Sequence, residues 1–315
     1  MGGVVGGYLA LGAQDVLLIG RPGQVKVINE RGLRLVTPAG THVLRLAAVT
    51  SPDKVKFGAE DMVCLCMKSQ NTEEALRDLR AVTQDVPVFC FQNGVSNEAM
   101  AARYFPRVYG VMVGMFATYL EHGEVTARRE PPGTFVMGCY PQGKDELVEA
   151  VAAMLRNAGF QVMTTPDVMS YKWGKLMNNL ANAVDAITDV RGGENDLIIT
   201  AAQKELRDML AQAGIHWKST ADLAREWPEI TVTSRGRPGP DTRSSTWQSL
   251  ARVAGSIETE FLNGEVVRLA QKLGQQAPVN ETLLRISQEM AARREQPGKY
   301  TPARLRVLLR LKNGT

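Results

Sequence analysis

EDMVCLCMKSQNTEEALRDLRAVTQDVPVFCFQNG, residues 60–94, has the pattern of a β-α-β unit. Glu60–Ser69 and Val86–Gly94 are near-continuous apolar runs that end in polar residues or glycine, as strands buried on both faces of a parallel sheet do. Between them, Thr72–Thr83 has helical periodicity, early acidic residues and a threonine suited to the N-cap. The stretch therefore predicts a parallel sheet whose functional loops follow the carboxyl ends of its strands.

The pattern extends outward from this unit. Asp15–Arg21 (DVLLIGR) is a third apolar run that predicts a strand. Residues 107–139 read as strands joined by turns at His122-Gly123 and at Pro131–Gly133, and a helix follows at about Lys144–Ala158. This half of the chain therefore predicts an α/β domain.

Beyond Asp167 the strand patterns cease. Helical periodicity covers residues 168–188, 197–213, 244–273 and 279–294, with a loop at 231–243. We therefore predict two domains, an α/β domain over residues 1–166 and an all-helical domain over 167–315.

Composition excludes several classes of protein. A length of 315 residues suits two domains, and 44% hydrophobic with 22% charged residues is typical of globular proteins. A net charge of +4 is too small to indicate nucleic-acid binding, and no apolar run approaches the ~20 residues of a membrane span. The N-terminus lacks the features of a secretory signal, and the four cysteines lack metal-ligand spacing. We expect buried free thiols, no metal site and a cytoplasmic protein.

A glycine cluster opens the chain. In MGGVVGGYLALG, Gly3 and Gly6 match the second and third glycines of the dinucleotide motif G-x-G-x-x-G, while the first position falls on Met1. Arg21, at the end of the DVLLIGR strand, suits the 2′-phosphate of NADP(H), whereas an acidic residue would suit NAD(H). The alternatives are a flexible glycine tail and a surface arginine.

Two polar residues follow predicted strands of the sheet. Lys68 comes after the first strand of the β-α-β unit and Asn93 after the second, so a cation and an amide are expected at the same sheet edge. Alternatively, either residue could have only a structural role in its turn, since Asn-Gly is common in turns.

Trp173–Thr188, WGKLMNNLANAVDAIT, predicts a helix with a polar face. Lys175, Asn179 and Asn182 stand at i, i+4 and i+7 and share that face. One cation and two amides could hold a small anion and supply a proton. The alternative is an amphipathic helix with a solvated polar stripe.

Arg243–Val267, RSSTWQSLARVAGSIETEFLNGEVV, carries two more candidates. Ser245 stands where a helix is expected to begin and is predicted to serve as its cap. Glu258 lies five residues before Asn263-Gly264, with an exposed helix acid as the alternative.

Taken in order, these pieces resemble the ketopantoate reductase (2-dehydropantoate 2-reductase) family from Gly3 to about Leu308. They are GGVVGGYLA, IGR, MKSQ, FQNGV, YKWGKLMNN, SSTWQ and IETEFLNGEV, followed by Pro278-Val279-Asn280. The resemblance implies a Rossmann-like domain and a helical domain of the 6-phosphogluconate dehydrogenase-like type. It also implies NADPH-dependent reduction of ketopantoate to pantoate, in the biosynthesis of pantothenate and coenzyme A, and leaves a homodimer open.

The resemblance implies a role for each candidate residue. Lys175 would donate the proton, and Glu258 would lie near both this lysine and the cofactor ribose. The substrate-binding set would be Asn93, Asn179 and Ser245, to which the helix face adds Asn182. The cofactor-binding set would be Gly3, Gly6, Arg21, Lys68, Asn93 and Glu258.

Two departures from the family pattern leave alternatives open. Ala183 stands where pantoate-forming members commonly have a second asparagine, so the substrate could be another small 2-oxo acid. No first strand precedes Met1, which would leave backbone groups of the neighbouring strands unpaired. A start assigned too late, re-paired strands, or a non-catalytic relic that has lost cofactor binding would each account for this.

Overall fold

The computed structural model describes residues 1–119, 121–230, 243–253 and 255–311. Contacts between these residues divide the chain into two compact units. The first unit holds Met1–Gln92, Asn97–Tyr171 and Thr220–Ile230 of the described residues. The second holds Asn93–Ser96, Lys172–Ser219 and the described residues from Arg243 onward. The domain boundary near Pro166 stays a prediction.

The first unit combines helices with eleven described strands. Its helices are α1 (Gly2–Leu11), α2 (Pro22–Arg31), α3 (Thr72–Val82), α4 (Asn97–Ala102) and α5 (Glu146–Asn157). Its strands are β1 (Leu17–Ile19), β2 (Leu33–Thr37), β3 (Gly40–Leu44), β4 (Ala47–Val49), β5 (Val63–Leu65), β6 (Val88–Cys90), β7 (Val108–Met115), β8 (Ala117–Thr118), β9 (Glu124–Ala127), β10 (Gly133–Cys139) and β11 (Gln161–Thr164).

The largest sheet has the order β11-β10-β7-β6-β5. Strands β5, β6 and β7 are parallel, which confirms the parallel arrangement predicted from residues 60–94. Helix α3 buries Leu76 and Leu79 in one apolar cluster with Leu65 and Val88. The predicted threonine cap of this helix is wrong, because Asn71 is at the N-cap position and Thr72 is the first helical residue.

Strand β1 belongs to a separate sheet. It pairs in parallel with β4 only, and no pairing joins it to β5 among the described residues. Leu17 and Ile19 of β1 are 41% and 45% exposed, as expected of a strand that lacks a neighbour. The gap expected in a sheet that lacks its first strand is therefore present between β1 and β5. Within the described residues, no alternative strand pairing closes this gap.

The remaining four strands form the sheet β3-β2-β9-β8. The predicted turn at His122-Gly123 lies between β8 and β9. Gly123 has a φ of +81°, and a Cβ atom there would come within 2.3 Å of Cγ1 of Val27. A side chain at this turn would therefore be strained by the backbone and would also collide with α2.

Helices dominate the described part of the second unit. They are α6 (Val168–Asn179), whose first turn lies in the first unit, α7 (Ala181–Thr188), α8 (Asp196–Gln212), α10 (Ser245–Ala251), α11 (Asn263–Lys272), α12 (Pro278–Ala292) and α13 (Pro302–Leu308). Helix α9 (Thr220–Glu226) belongs to the first unit. No helix in the described ranges is long and apolar enough to cross a membrane.

Two predicted helices differ from those observed, and most of one predicted loop lies outside the described residues. The helix expected over Trp173–Thr188 is divided at Leu180, which keeps helical angles (φ −60°, ψ −26°), so the phase of the polar face is nearly preserved. The pattern at 244–273 is two helices, α10 and α11, separated by a turn at Glu258–Phe261. Of the predicted loop at 231–243, residues 231–242 lie outside the described residues.

The cysteines are free thiols, as expected. Cys90 is buried, whereas Cys64, Cys66 and Cys139 are partly buried. Burial raises the pKa of the Cys66 thiol to about 11, so it stays protonated at neutral pH.

Candidate active site

Lys175 lies on α6 in the second unit, on a stretch with buried apolar residues. Its neighbours along the helix, Leu176 and Met177, are buried, and the lysine itself is half-buried. Among the described residues no hydrogen bond or ion pair partner compensates its ammonium group. Burial therefore lowers the pKa of Lys175, because a low-dielectric surrounding disfavours the charged form.

Asn179 follows Lys175 by one helical turn and ends α6. The residue is only 8% exposed, and its Nδ2 donates a hydrogen bond to Oδ1 of Asn93 at 3.4 Å. Asn93 itself is half-buried and belongs to the four-residue segment Asn93–Ser96 of the same unit. Two predicted substrate-binding amides are thus brought together beside the predicted proton donor.

Asn182 lies on α7 and is half-buried. Its carbonyl oxygen accepts a hydrogen bond from Oγ of Ser244 at 3.3 Å. Ser244 is the N-cap of α10, where its Oγ also accepts from the backbone N–H of Trp247. The predicted cap at Ser245 is therefore wrong by one residue, because Ser245 is the first helical residue, and its hydroxyl is not the one that caps the helix.

Sequence reasoning missed the carboxylate that joins α7 to α10. Asp185 accepts from the backbone N–H of Ser244 and from Nη1 of Arg243, both at 3.0 Å. Nη2 of Arg243 forms a second ion pair with Asp189 at 2.7 Å. These contacts fix the start of α10, which carries Ser245, against the helix that carries Asn182. No local pattern signals them, since 58 residues separate Arg243 from Asp185.

Glu258 begins the turn Glu258–Phe261 that precedes α11. The residue is 8% exposed, so the exposed-acid alternative does not apply. Burial is the cause of the lowered pKa of Lys175. That Glu258 favours the charged form of this lysine stays a prediction.

The Asn263 and Pro278–Asn280 motifs have a structural explanation. Asn263 and Asn280 are fully buried, and Nδ2 of Asn263 donates to Oδ1 of Asn280 at 2.9 Å. The carboxylate of Glu205 on α8 accepts from the backbone N–H groups of Val279 and Asn280 and from the Asn280 side chain. This network holds the first turns of α11 and α12 against α8.

The predicted cofactor residues lie in the first unit, apart from Asn93 and Glu258. A Cβ atom on Gly3 would come within 2.8 Å of Val125, and one on Gly6 within 3.0 Å of Leu18. Both glycines therefore allow α1 to pack closely against neighbouring strands, which is the role of the third glycine in the motif. Contact of Gly3 with a cofactor stays a prediction.

Arg21 and Lys68 follow the ends of two strands. Arg21 is the exposed N-cap residue of α2, two residues after the end of β1, and no ion pair holds its guanidinium within the described ranges. Lys68 is half-buried and precedes the turn Ser69–Asn71 after β5.

A buried polar network holds the loops after β5 and β6. Nε2 of Gln92 donates to Oγ1 of Thr72 at 2.7 Å and to the carbonyl oxygen of Met67 at 3.0 Å. Thr72 donates to Asn97 at 2.9 Å, and Asn97 donates to Ser69 at 3.1 Å. Because buried polar groups are costly to leave unpaired, this network fixes the backbone on either side of Lys68.

Two family models describe the chain along most of its length. Ketopantoate reductase PanE/ApbA matches residues 1–142, and the C-terminal ketopantoate reductase PanE/ApbA model matches residues 167–291. A 2-dehydropantoate 2-reductase from Halobacterium salinarum is 31% identical over 300 residues, which are 90% of this chain and 93% of that protein. The chain belongs to the ketopantoate reductase family.

Further ketopantoate reductases agree with this membership. The 2-dehydropantoate 2-reductase of Pyrococcus horikoshii is 29% identical over 89% of this chain and 91% of its own length. The crystal structure of a PanE/ApbA family ketopantoate reductase from Ralstonia eutropha JMP134 has a TM-score of 0.79 and 28% identity, covering 93% of this chain and 96% of that one. The family and the fold class predicted from the sequence are thereby confirmed. The protein is an oxidoreductase acting on a CH–OH group, with a nicotinamide cofactor.

The residues of the first unit fit such a cofactor. The α1 N-terminus has no side-chain cap, and the N–H of Val4 donates to the carbonyl oxygen of Met1, so the N–H groups of Gly2 and Gly3 would be the ones to meet phosphate oxygens. The exposed guanidinium of Arg21 adds a cation at the end of β1.

Proposed function

We propose that the protein reduces 2-dehydropantoate to pantoate with NADPH, in the cytoplasm. The observation that carries this proposal is the arrangement on α6, where Lys175 and Asn179 are one turn apart and Asn179 contacts Asn93. A cation with a transferable proton beside two amides matches what a 2-oxo acid needs from the protein during reduction.

Bound NADPH would supply the hydride for the 2-oxo carbon. As this C–H bond forms, the carbonyl π bond breaks and negative charge develops on the oxygen. Nζ of Lys175 would stabilise that charge and donate its proton, giving the 2-hydroxy acid and a neutral lysine. Solvent then restores the lysine proton.

Burial of Lys175 supports its proposed role. Because burial lowers its pKa, the ammonium group gives up a proton with less free-energy cost than an exposed lysine would. The effective dielectric around a half-buried lysine is lower than that of bulk water, so its ion–dipole interaction with the carbonyl oxygen would be stronger than in bulk solvent.

The remaining candidates would orient the substrate. Asn93 and Asn179 would hold it by their amides, Ser245 would donate its hydroxyl to the carboxylate, and Glu258 would orient the lysine and the cofactor ribose. Orientation of this kind converts a collision between two reactants into a step within one complex.

Arg21 favours NADPH over NADH in this proposal. An exposed guanidinium that no ion pair within the described residues neutralises suits a 2′-phosphate, which NADH lacks. Lys68 would add a positive charge near the phosphates or the nicotinamide.

A second candidate substrate differs from 2-dehydropantoate in its tail. Ala183, at the position of the family's usual second asparagine, is 1% exposed and offers no polar group. A small 2-oxo acid without a hydroxyl on its tail is therefore the second candidate substrate.

A pair of substrates separates the two candidates. Steady-state oxidation of NADPH is followed with 2-dehydropantoate and with 3,3-dimethyl-2-oxobutanoate, which lacks only the tail hydroxyl. A site built to bind that hydroxyl rejects the analogue by about 10⁴-fold in kcat/KM. A ratio near one would favour the second candidate.

Cofactor binding tests the broader proposal. Titration of the folded protein with NADPH, followed by nicotinamide fluorescence and with NADH as control, is expected to give micromolar affinity and a preference for NADPH. A folded chain that binds neither nucleotide would overturn the reductase proposal and leave the non-catalytic relic in its place.

A further inference from the structure

Two segments that carry proposed site residues are joined by the charged side chains of α11. The first segment is Asn93–Ser96, and the second is the turn Glu258–Phe261. Both belong to the second unit together with α11. The residues that join them were not among those singled out in the sequence.

Glu265 holds the Asn93–Ser96 segment. Its carboxylate oxygen Oε1 accepts a hydrogen bond from the hydroxyl of Ser96. Glu265 is only 7% exposed, so its charge is largely withdrawn from water and depends on its partners. Ser96 is three residues after Asn93, close enough for its anchoring to restrict where the Asn93 amide can go.

Arg268 connects Glu265 to the Glu258 turn. Its Nη2 forms an ion pair with Oε1 of Glu265 at 3.0 Å and donates to the carbonyl oxygen of Glu260 at 2.7 Å. Its Nη1 donates to Oε1 of Glu260 at 2.6 Å. One guanidinium therefore binds a side chain and the backbone of the turn at the same time, a geometry that its planar fork permits and a lysine would not.

Gln288 of α12 completes the arrangement. Its Nε2 donates to Oε2 of Glu260 at 2.6 Å, so both carboxylate oxygens of Glu260 are held. The turn that begins with Glu258 is thus fixed by α11 on one side and by α12 on the other.

We propose that Glu265 and Arg268 are positioning residues for the reaction, because they hold the Asn93 segment and the Glu258 turn in a fixed relation. This rests on the proposed function, which assigns Asn93 to the substrate and Glu258 to the lysine and the cofactor. Neither positioning residue touches the reacting atoms in this proposal. Ser96 and Glu260 are the points at which the two segments are held.

Four variants test the proposal. Ser96→Ala releases the first segment, Arg268→Met releases the turn, and Glu265→Gln keeps an acceptor for Ser96 while removing the ion pair. Arg285→Met is the matched control, since it removes an exposed ion pair with Glu289 on α12. Each purified variant is assayed for kcat and KM with NADPH and the 2-oxo acid, and backbone hydrogen exchange is measured by mass spectrometry.

For Ser96→Ala and Arg268→Met we expect about tenfold lower kcat/KM, and for Glu265→Gln a smaller loss. Exchange should rise in residues 93–96 for Ser96→Ala and in 258–261 for Arg268→Met. The double variant Ser96→Ala/Arg268→Met should lose less activity than the product of the two single losses, because each substitution removes a contact of Glu265 and so breaks the same link between the two segments. The control should match the unaltered protein in activity.

Three results overturn the proposal in distinguishable ways. Unchanged kcat/KM in Ser96→Ala and Arg268→Met, with an active unaltered protein, overturns the positioning role alone. An unaltered protein without turnover on any 2-oxo acid overturns the proposed function, and the positioning role of the two residues with it. Loss of activity with unchanged exchange in both segments also rejects the positioning role, because the segments would then not have been released.

Discussion

Nδ2 of Asn179 donates a hydrogen bond to Oδ1 of Asn93 across 3.4 Å, although 86 residues of sequence separate the two. The distance is long for an N–H···O bond, so the contact by itself contributes little to stability. A side-chain amide has two N–H donors and one carbonyl acceptor, so each can take part in more than one hydrogen bond. A pair held this loosely is suited to binding a ligand by both amides.

Asn179→Ala should weaken substrate use more than folding. Loss of an amide bound to a charged substrate costs about 1.5–3 kcal/mol, which corresponds to roughly 10- to 150-fold in kcat/KM for the 2-oxo acid. The effect on the free energy of unfolding should be small because the bond to Asn93 is long. Steady-state kinetics check this, with Asn178→Ala, at the exposed neighbouring position on α6, as control. Equal kinetics in the two variants would remove Asn179 from the site.

Lys175→Met should lower kcat by about 10²- to 10⁴-fold while the Kd for NADPH changes little, because a proton donor acts on the chemical step. In the unaltered enzyme kcat should fall as pH rises through the pKa of Lys175, since only the protonated form donates. Burial places that pKa below the usual 10.5, so the fall should begin below the pH at which an exposed lysine titrates. A pH profile of kcat that stays flat up to 10.5 would contradict this assignment.

The same substitution should stabilise the fold at neutral pH. A lysine whose folded pKa is lowered binds fewer protons in the folded than in the unfolded state between the two pKa values, so stability rises with pH in that window. Below the folded pKa the full cost of burying the charge is present. Lys175→Met removes this cost, and we expect about 1 kcal/mol more free energy of unfolding near pH 7.

Urea unfolding at several pH values measures this effect. The advantage of Lys175→Met should shrink as pH rises toward 10.5, where the lysine is neutral in both states. Lys204→Met, an exposed lysine on α8, is the control and should show no such trend. A destabilised Lys175→Met at neutral pH would indicate that the lysine is paired rather than isolated.

Arg21→Ala should change the choice of cofactor. Loss of a charge-assisted contact with the 2′-phosphate should raise the Kd for NADPH by about 10- to 100-fold and leave the Kd for NADH nearly unchanged. Arg31→Ala, at the other end of α2 and also exposed, serves as control. Fluorescence titration with both nucleotides checks the prediction, and parallel losses for the two nucleotides would assign Arg21 to the shared part of the cofactor.

Periodicity predicted the elements that carry the site. The β-α-β unit at residues 60–94 became β5, α3 and β6, and the apolar positions Leu176, Val184 and Ile187 are buried as the helical pattern requires. The local pattern failed where a prediction required a choice between two adjacent residues. Ser244 and Ser245 are equally good caps by type, and only the contacts of Ser244 with Asp185 and Asn182 distinguish them.

The sequence by itself determined the family, the parallel strands, and the spacing that puts Lys175 and Asn179 one turn apart, because these depend on neighbours within a few residues along the chain. Tertiary structure alone decided the pairing of Asn179 with Asn93, the Asp185–Arg243 contact and the direction of the Lys175 pKa shift. Those properties depend on burial and on groups that lie tens of residues away in sequence, and no local period encodes them.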